Sequence, residues 1–188
     1  MWISPKYQDT DFKWPFSLDD KIKIFEDSTM GWQLTIANKI VNVSIAHSGY
    51  AVLRIILSYF EMIAKHRNGY DKVGKSDCYF KQGVYSVFPE LKNESQNVVV
   101  EFLDAFYKDG RCGLYHGSKT GPKVILTGEL EIPIKFYTED KKLIINPGEL
   151  VKVLIDHFQS YVDDLRDQNN EQLRNDFEKR FDFERKEL

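Results

Sequence analysis

The stretch that most constrains the fold runs from Ser48 to His66. Val52, Leu53, Ile55, Ile56, Leu57, Phe60, Met62 and Ile63 leave it almost no polar face. A helix that is apolar nearly all round must be covered on every side, so this one is predicted at the centre of a bundle. Asn68-Gly69 closes it with residue types that favour a left-handed C-terminal turn. The whole chain has 188 residues, enough for one domain with a substantial core.

The segments around this helix supply candidates to cover it. Residues 1–16 carry two prolines and several aromatics and read as an extended N-terminal arm. Ser17 followed by Asp20 opens a helix through Ile22, Ile24 and Phe25. The pattern resumes after Gly31 with Ile36, Ala37, Ile40 and Val41, as one bent helix or two. A shorter helix is predicted from about Asp77, with Phe80, Val84, Val87 and Phe88 inward and Pro89 as its stop. Another runs from about Glu94 to Lys108 on a stripe of Val99, Phe102, Leu103 and Phe106, and Asp109-Gly110 loosens or ends it.

The punctuation then changes. Lys123 to Thr127, Ile132 to Tyr137 and Lys142 to Ile145 read as short strands, a small β-hairpin or meander inserted at about residues 123–145. Asn146-Pro147-Gly148-Glu149 is a helix start, with a cap residue, Pro at the first position and an acid behind it. That helix continues on Leu150, Leu154, Phe158, Tyr161 and Leu165. Residues 166–188 are predicted as a charged helical extension. Its Leu173, Phe177 and Phe181 read as a narrow apolar face on a solvated helix, in preference to one docked on the body or a partner. The fold expected is mainly α, a helical bundle over residues 17–165 with a small β insertion.

Charge and cysteine content narrow the function classes. The net charge of −3 argues against a broadly basic nucleic-acid binder. The segment from Asp163 to Leu188 carries all of that imbalance, whereas residues 105–123 hold Lys108, Arg111, Lys119 and Lys123 against one acid, Asp109. Cys78 and Cys112 have neither metal spacing nor the pattern of a disulfide framework, which fits a reducing cytoplasm. The N-terminus lacks the basic-then-apolar pattern of a signal peptide, and no uncharged apolar run reaches the roughly 20 residues that span a bilayer. A cytoplasmic protein without membrane association is expected. No two histidines have ligand spacing, so no metal and no cofactor is expected. His47 and His66 read as capping or surface residues, and His157 as a core histidine with its ring satisfied.

One stretch combines a fixed cation with a titratable group: Arg111-Cys112-Gly113-Leu114-Tyr115-His116, followed by Gly117-Ser118-Lys119-Thr120. Cleaving RNA without a metal needs a base for the 2′-hydroxyl, an acid for the leaving 5′-oxygen and positive charge on the phosphate. Histidine, with an unperturbed pKa of about 6.5, reaches both proton-transfer roles at neutral pH. Arginine offers a planar, permanently charged fork to the phosphate. On an ideal helix the two would stand about 140° apart around the axis, so their convergence requires a break or distortion. The part from Gly113 to Thr120 also approximates a phosphate-binding loop. Ser118 replaces its second glycine, and a helix rather than a strand precedes it.

The run Phe106-Tyr107-Lys108-Asp109-Gly110-Arg111-Cys112-Gly113-Leu114-Tyr115-His116 resembles the Arg-x4-His signature of the HEPN superfamily, in a bacterial HEPN-like branch. The apolar helix with a central acid, Glu61 in Ser58-Tyr59-Phe60-Glu61-Met62, and the Asn-Pro start of the last long helix extend the resemblance over roughly residues 45–165. The resemblance implies an all-α bundle that dimerises with two such motifs facing each other. It implies a metal-independent endoribonuclease, as in toxin–antitoxin or defence systems, with Arg111 on the phosphate and His116 as acid or base. Glu61 would orient one of them, and Lys108, Lys119 and Lys123 would hold RNA. A homodimer also meets a chemical need, since one motif offers a single histidine for two proton transfers.

The chain departs from the family pattern at two places. Cys112 follows the arginine where active members often have Asn, Asp or His, and Ser118 stands where one branch has tyrosine. These positions motivate the alternative of a non-catalytic dimeric module that binds a nucleotide, RNA or a protein partner.

Overall fold

The computed structural model describes residues 1–43, 45–70 and 74–186, and is mainly helical with a small three-stranded sheet. Its helices are α1 (Leu18–Thr29), α2 (Thr35–Asn42), α3 (Gly49–Ile56), α4 (Ser58–Asn68), α5 (Ser76–Val87), α6 (Gln96–Ala105), α7 (Gly113–Gly117), α8 (Pro147–Arg166) and α9 (Glu171–Lys186). The strands are β1 (Val124–Leu126), β2 (Ile134–Tyr137) and β3 (Lys142–Ile145).

The apolar run forms α3 and α4, separated only at Leu57, whose amide still donates to Leu53 O at 2.9 Å. Tyr59, Phe60 and Ile63 are fully buried at the centre of the bundle. Phe60, Phe80 of α5 and Phe106 form a triangle of edge-to-face rings with centroids 5.2–5.4 Å apart, a geometry favoured by the aromatic quadrupole. Helices α4 and α5 approach so closely that a methyl group on Gly83 would overlap the carbonyl oxygen of Phe60.

The question of one N-terminal helix or two resolves into a single run. α1 passes through a π-helical turn, Met30–Leu34, directly into α2. The predicted caps are in place. Ser17 Oγ accepts from the Asp20 amide at 3.2 Å, and Asn146 Oδ1 accepts from the Gly148 and Glu149 amides at 2.9 and 3.3 Å. These side chains satisfy amides that a helix start otherwise leaves open.

Three expectations need correction. Of the hairpin or meander expected, the hairpin is present, with β2 antiparallel to β3, but β1 does not continue it as a meander: β1 pairs parallel to β3, giving the order β1-β3-β2. Leu143 and Ile145 on β3 are fully buried, and a central β3 places both between two neighbours over the core. The charged extension is not a solvated helix. α9 folds back on α4, burying Phe177 completely and Phe181 to 5 % exposure. It is also held by Lys21 of α1, whose ammonium lies 2.7 Å from Glu178 and 2.8 Å from Asp182. His66 is neither a cap nor a surface residue. It is 1 % exposed, stacked 4.4 Å from Phe25 and 5.8 Å from Phe177. The N-terminal arm docks too, with Ile3 and Phe16 buried.

Among the described residues, no helix is long and apolar enough to cross a membrane.

Candidate active site around Arg111

Of the two expectations for Asp109-Gly110, it loosens the helix before Arg111 and does not end it. After α6 the chain widens into a π-helical segment, Phe106–Cys112, and continues as α7 to Gly117. Gly110 gives room for this turn, since a side chain there would press on the Phe106 ring. Asp109 O, turned out of the helix ladder, accepts from the Gly121 amide at 2.7 Å, so the loop after α7 closes back on the widened turn. Such π-turns occur mostly as single insertions in α-helices and frequently at functional sites. This one carries Arg111, and His116 follows it in α7.

The turn presents Arg111 to α4. Its Nη2 donates to Glu61 Oε2 at 3.3 Å and to Ser76 Oγ at 3.3 Å. Ser76 in turn donates to the same Glu61 oxygen at 2.6 Å, and Lys65 Nζ lies 2.9 Å from Glu61 Oε1. The guanidinium carbon stands 4.7 Å from the Tyr115 ring centroid and 5.8 Å from that of Tyr107, within the range of cation–π attraction. Among the described residues, Nε and Nη1 of Arg111 donate to no partner, so two of its nitrogens stay available to an anion.

Electrostatics hold this cluster charged. Burial works against the Glu61 carboxylate, but bonds from Ser76 and Lys65 and the charges of Lys65 and Arg111 outweigh it, leaving its pKa below the ordinary value. Burial pushes the Tyr107 phenol up, against a bond from Ser76. With Glu61 opposed by two cations, the cluster keeps a net positive charge.

His116 lies exposed in α7, and among the described residues its ring makes no hydrogen bond or ion pair. It caps no carbonyl. The helix that carries it is fixed from α3, where Arg54 donates through Nε and Nη2 to Leu114 O at 3.2 and 2.8 Å. Leu114 is fully buried and anchors the other side. Tyr115 links Arg111 to α3: its ring lies against Arg111, and its hydroxyl reaches Arg54 O at 3.5 Å.

The structure therefore brings Arg111 and Glu61 together and leaves His116 at the surface in the following turn. The three lysines divide. Lys108 is bound to Asp104 at 2.9 Å, and Asp104 also takes Lys81 at 2.6 Å. Lys119 and Lys123 are exposed. The Lys119 carbonyl sits where a methyl on Gly113 would meet it, and Lys123 O accepts from Leu143 at the edge of the sheet. Arg111 pairs with neither Asp104 nor Asp109.

Sequence reasoning missed Ser76, Tyr107, Tyr115, Lys65 and Arg54. Tyr107 and Tyr115 stand four residues before and after Arg111, a spacing that puts side chains on one helix face, and Lys65 stands four after Glu61. Those three were readable. Ser76 and Arg54 carry no local signal, because their partners lie 35 and 60 residues away.

The phosphate-loop look-alike is helical at Gly113–Gly117 and turns through a left-handed Ser118, so its amides form no strand-to-helix cradle. His157 has its ring satisfied as expected, with Tyr59 Oη at 2.6 Å from Nδ1 and Ser86 Oγ at 3.0 Å from Nε2, but it is half-buried and does not lie in the core. Among the described residues, no three His, Cys, Asp or Glu side chains converge as a metal site requires. No family model, curated protein or solved structure matches the chain.

Proposed function

We propose that the protein is a metal-independent endoribonuclease of the HEPN type, acting as a homodimer in which two Arg111/His116 motifs face one RNA phosphate. The observation that carries this reading is Arg111 itself. It is aimed by Glu61, Ser76 and two tyrosine rings, while among the described residues two of its nitrogens have no partner and the ring of His116, in the helix that follows, has none either. A guanidinium so held is preorganised for an anion, and electrostatic stabilisation of this kind works without reorganisation at the moment of reaction.

In the reaction, His116 takes the proton from the 2′-hydroxyl as its oxygen attacks phosphorus. The P–O5′ bond breaks, and the partner's His116 delivers a proton to the departing 5′-oxygen. The products are a 2′,3′-cyclic phosphate and a free 5′-hydroxyl. Arg111 from each protomer neutralises charge on the pentavalent phosphorus. Lys119 and Lys123 add positive charge along the strand, and Lys108 contributes less because Asp104 already holds it. A role as the toxin or effector of a defence system follows from such an activity.

Cys112 supports a second reading, a dimeric module that binds RNA, a nucleotide or a protein through Arg111 without turnover. Incubating the purified protein with a broad RNA panel in EDTA separates the two. Cleavage lost in His116→Ala supports the nuclease. Binding lost in Arg111→Ala, with no cleavage by wild type, supports the module.

A further inference from the structure

We propose that the free edge of β2 is a docking site for an extended, basic segment of a partner protein, which adds to the sheet as a fourth strand. This site is separate from the Arg111 cluster.

The sheet order leaves β2 at an edge. The Asn146 amide donates to Pro133 O at 2.9 Å, which fixes the alternation of the β2–β3 ladder. Residues 133, 135 and 137 turn their backbone groups toward β3, so Ile134 and Phe136 turn theirs outward. The same alternation holds on the other side of β3, where the Leu143 amide and the Ile145 carbonyl face β1 and its flanks. Among the described residues, no backbone partner meets the outward groups of Ile134 and Phe136. Two outward amides and two outward carbonyls form a template for another strand.

A groove of about 550 Å³ lies along this edge, between β2 and the start of α6. Phe102 and Phe136, with ring centroids 6.0 Å apart, form its floor, and Leu91, Val98 and Ile132 stand along its sides. Ile132 is 48 % exposed although it lines an apolar groove. An added strand would place every second side chain in the groove, because strand side chains alternate between faces. No proline sits in the centre of this edge and among the described residues no helix covers it, and its one charged residue, Lys135, is exposed on the face away from the groove by the alternation of the strand.

Charge selects the occupant. The only ionisable residues among those lining the groove are Glu90 and Glu94, both exposed, and Glu129 and Glu131 precede β2. An apolar strand with lysine or arginine at its groove-facing ends complements this lining. Pairing β2 with a second β2 about a twofold axis would instead add another Glu90 and Glu94 to the same groove. The described N-terminal arm lies against α1 and α9 against α4, not along this edge.

The test uses the full chain and the peptide acetyl-Thr-Lys-Thr-Val-Thr-Val-Thr-Lys-Thr-amide, whose Lys and Val side chains share one face, against a control with Glu in place of both Lys. The Lys peptide is expected to shift the amide resonances of Ile134 and Phe136 and to bind about tenfold more tightly than the control at low salt. The double variant Glu90→Lys/Glu94→Lys, on exposed positions that folding does not depend on, should reverse that preference. Equal binding of the two peptides, an unchanged preference in the variant, or no shift at Ile134 and Phe136 at about 1 mM peptide overturns the proposal. Exchange protection of those two amides in the free protein, lost on dilution, would place a second copy on the edge and overturn it as well. None of these readouts involves RNA, so they stand apart from the nuclease reading.

Discussion

Glu61 Oε2 on α4 accepts from Arg111 Nη2 at 3.3 Å across a gap of fifty residues in sequence. The bond joins α4 to the widened turn that carries Arg111, and among the described residues Nε and Nη1 of the guanidinium have no partner. Glu61 acts here as a positioning residue.

Glu61→Gln keeps the shape and removes the charge. If RNA cleavage is the activity, it should fall about tenfold through misplacement of Arg111, with less loss than Arg111→Ala itself. The carboxyl has a lowered pKa in the folded protein, so its stabilising contribution is full above the ordinary value of 4.5 and is lost as pH falls through the folded value. Urea titrations should therefore show wild type more stable than Glu61→Gln at pH 7, with the gap closing below about pH 4.5. A gap that does not change with pH would contradict the charged network.

His157 titrates in a different window. Burial, reinforced by the Arg67 charge, lowers its pKa to about 4. The unfolded ring gains its proton near 6.5, while the folded ring waits until about 4, so stability present above pH 6.5 is lost progressively between the two. His66 is shifted the same way by burial, against the pull of Glu184. Replacing His157 with Asn should flatten the dependence of the unfolding free energy on pH between about 6.5 and 4. Chemical denaturation at four pH values checks this.

Phe177→Ala distinguishes a docked α9 from a solvated one. The ring is fully buried, 5.2 Å from Phe25 and 5.8 Å from Phe181. Its loss should cost about 3–5 kcal/mol in denaturant unfolding, whereas truncating a solvated face would change little.

Two glycines give opposite expectations. Gly83→Ala forces a methyl group onto the Phe60 carbonyl and must part α4 from α5, with destabilisation above about 3 kcal/mol. Gly117, with nothing within 4 Å of an added Cβ, should accept Ala within about 0.5 kcal/mol. Thermal melts of the two variants provide the comparison.

The bundle was legible wherever the signal was local. Ser17, Asn146 and Pro147 announced their helices, and the apolar run around Phe60 announced the centre. What the sequence hid depends on distant partners. α9 reads as solvated because its charged residues outnumber its apolar ones, yet Lys21, more than 150 positions earlier, bridges two of its acids. The parallel pairing of β1 with β3 requires β2 to be passed over, and adjacency in sequence favours the meander instead. At the site, Arg111, His116 and Glu61 stood out by residue type. The π-turn was half legible: Asp109-Gly110 reads as loosening or ending the helix, and the Phe106 ring beneath Gly110 with the Asp109–Gly121 bond decides for the first.

The most direct test of the central claim is cleavage of a broad RNA panel by the purified protein in EDTA, with analysis of the product ends. The account predicts 2′,3′-cyclic phosphate and 5′-hydroxyl termini from wild type, with losses of about 100-fold or more in both His116→Ala and Arg111→Ala while the dimer persists. Equal cleavage by wild type and His116→Ala, or no cleavage by wild type of any RNA in the panel, would contradict it.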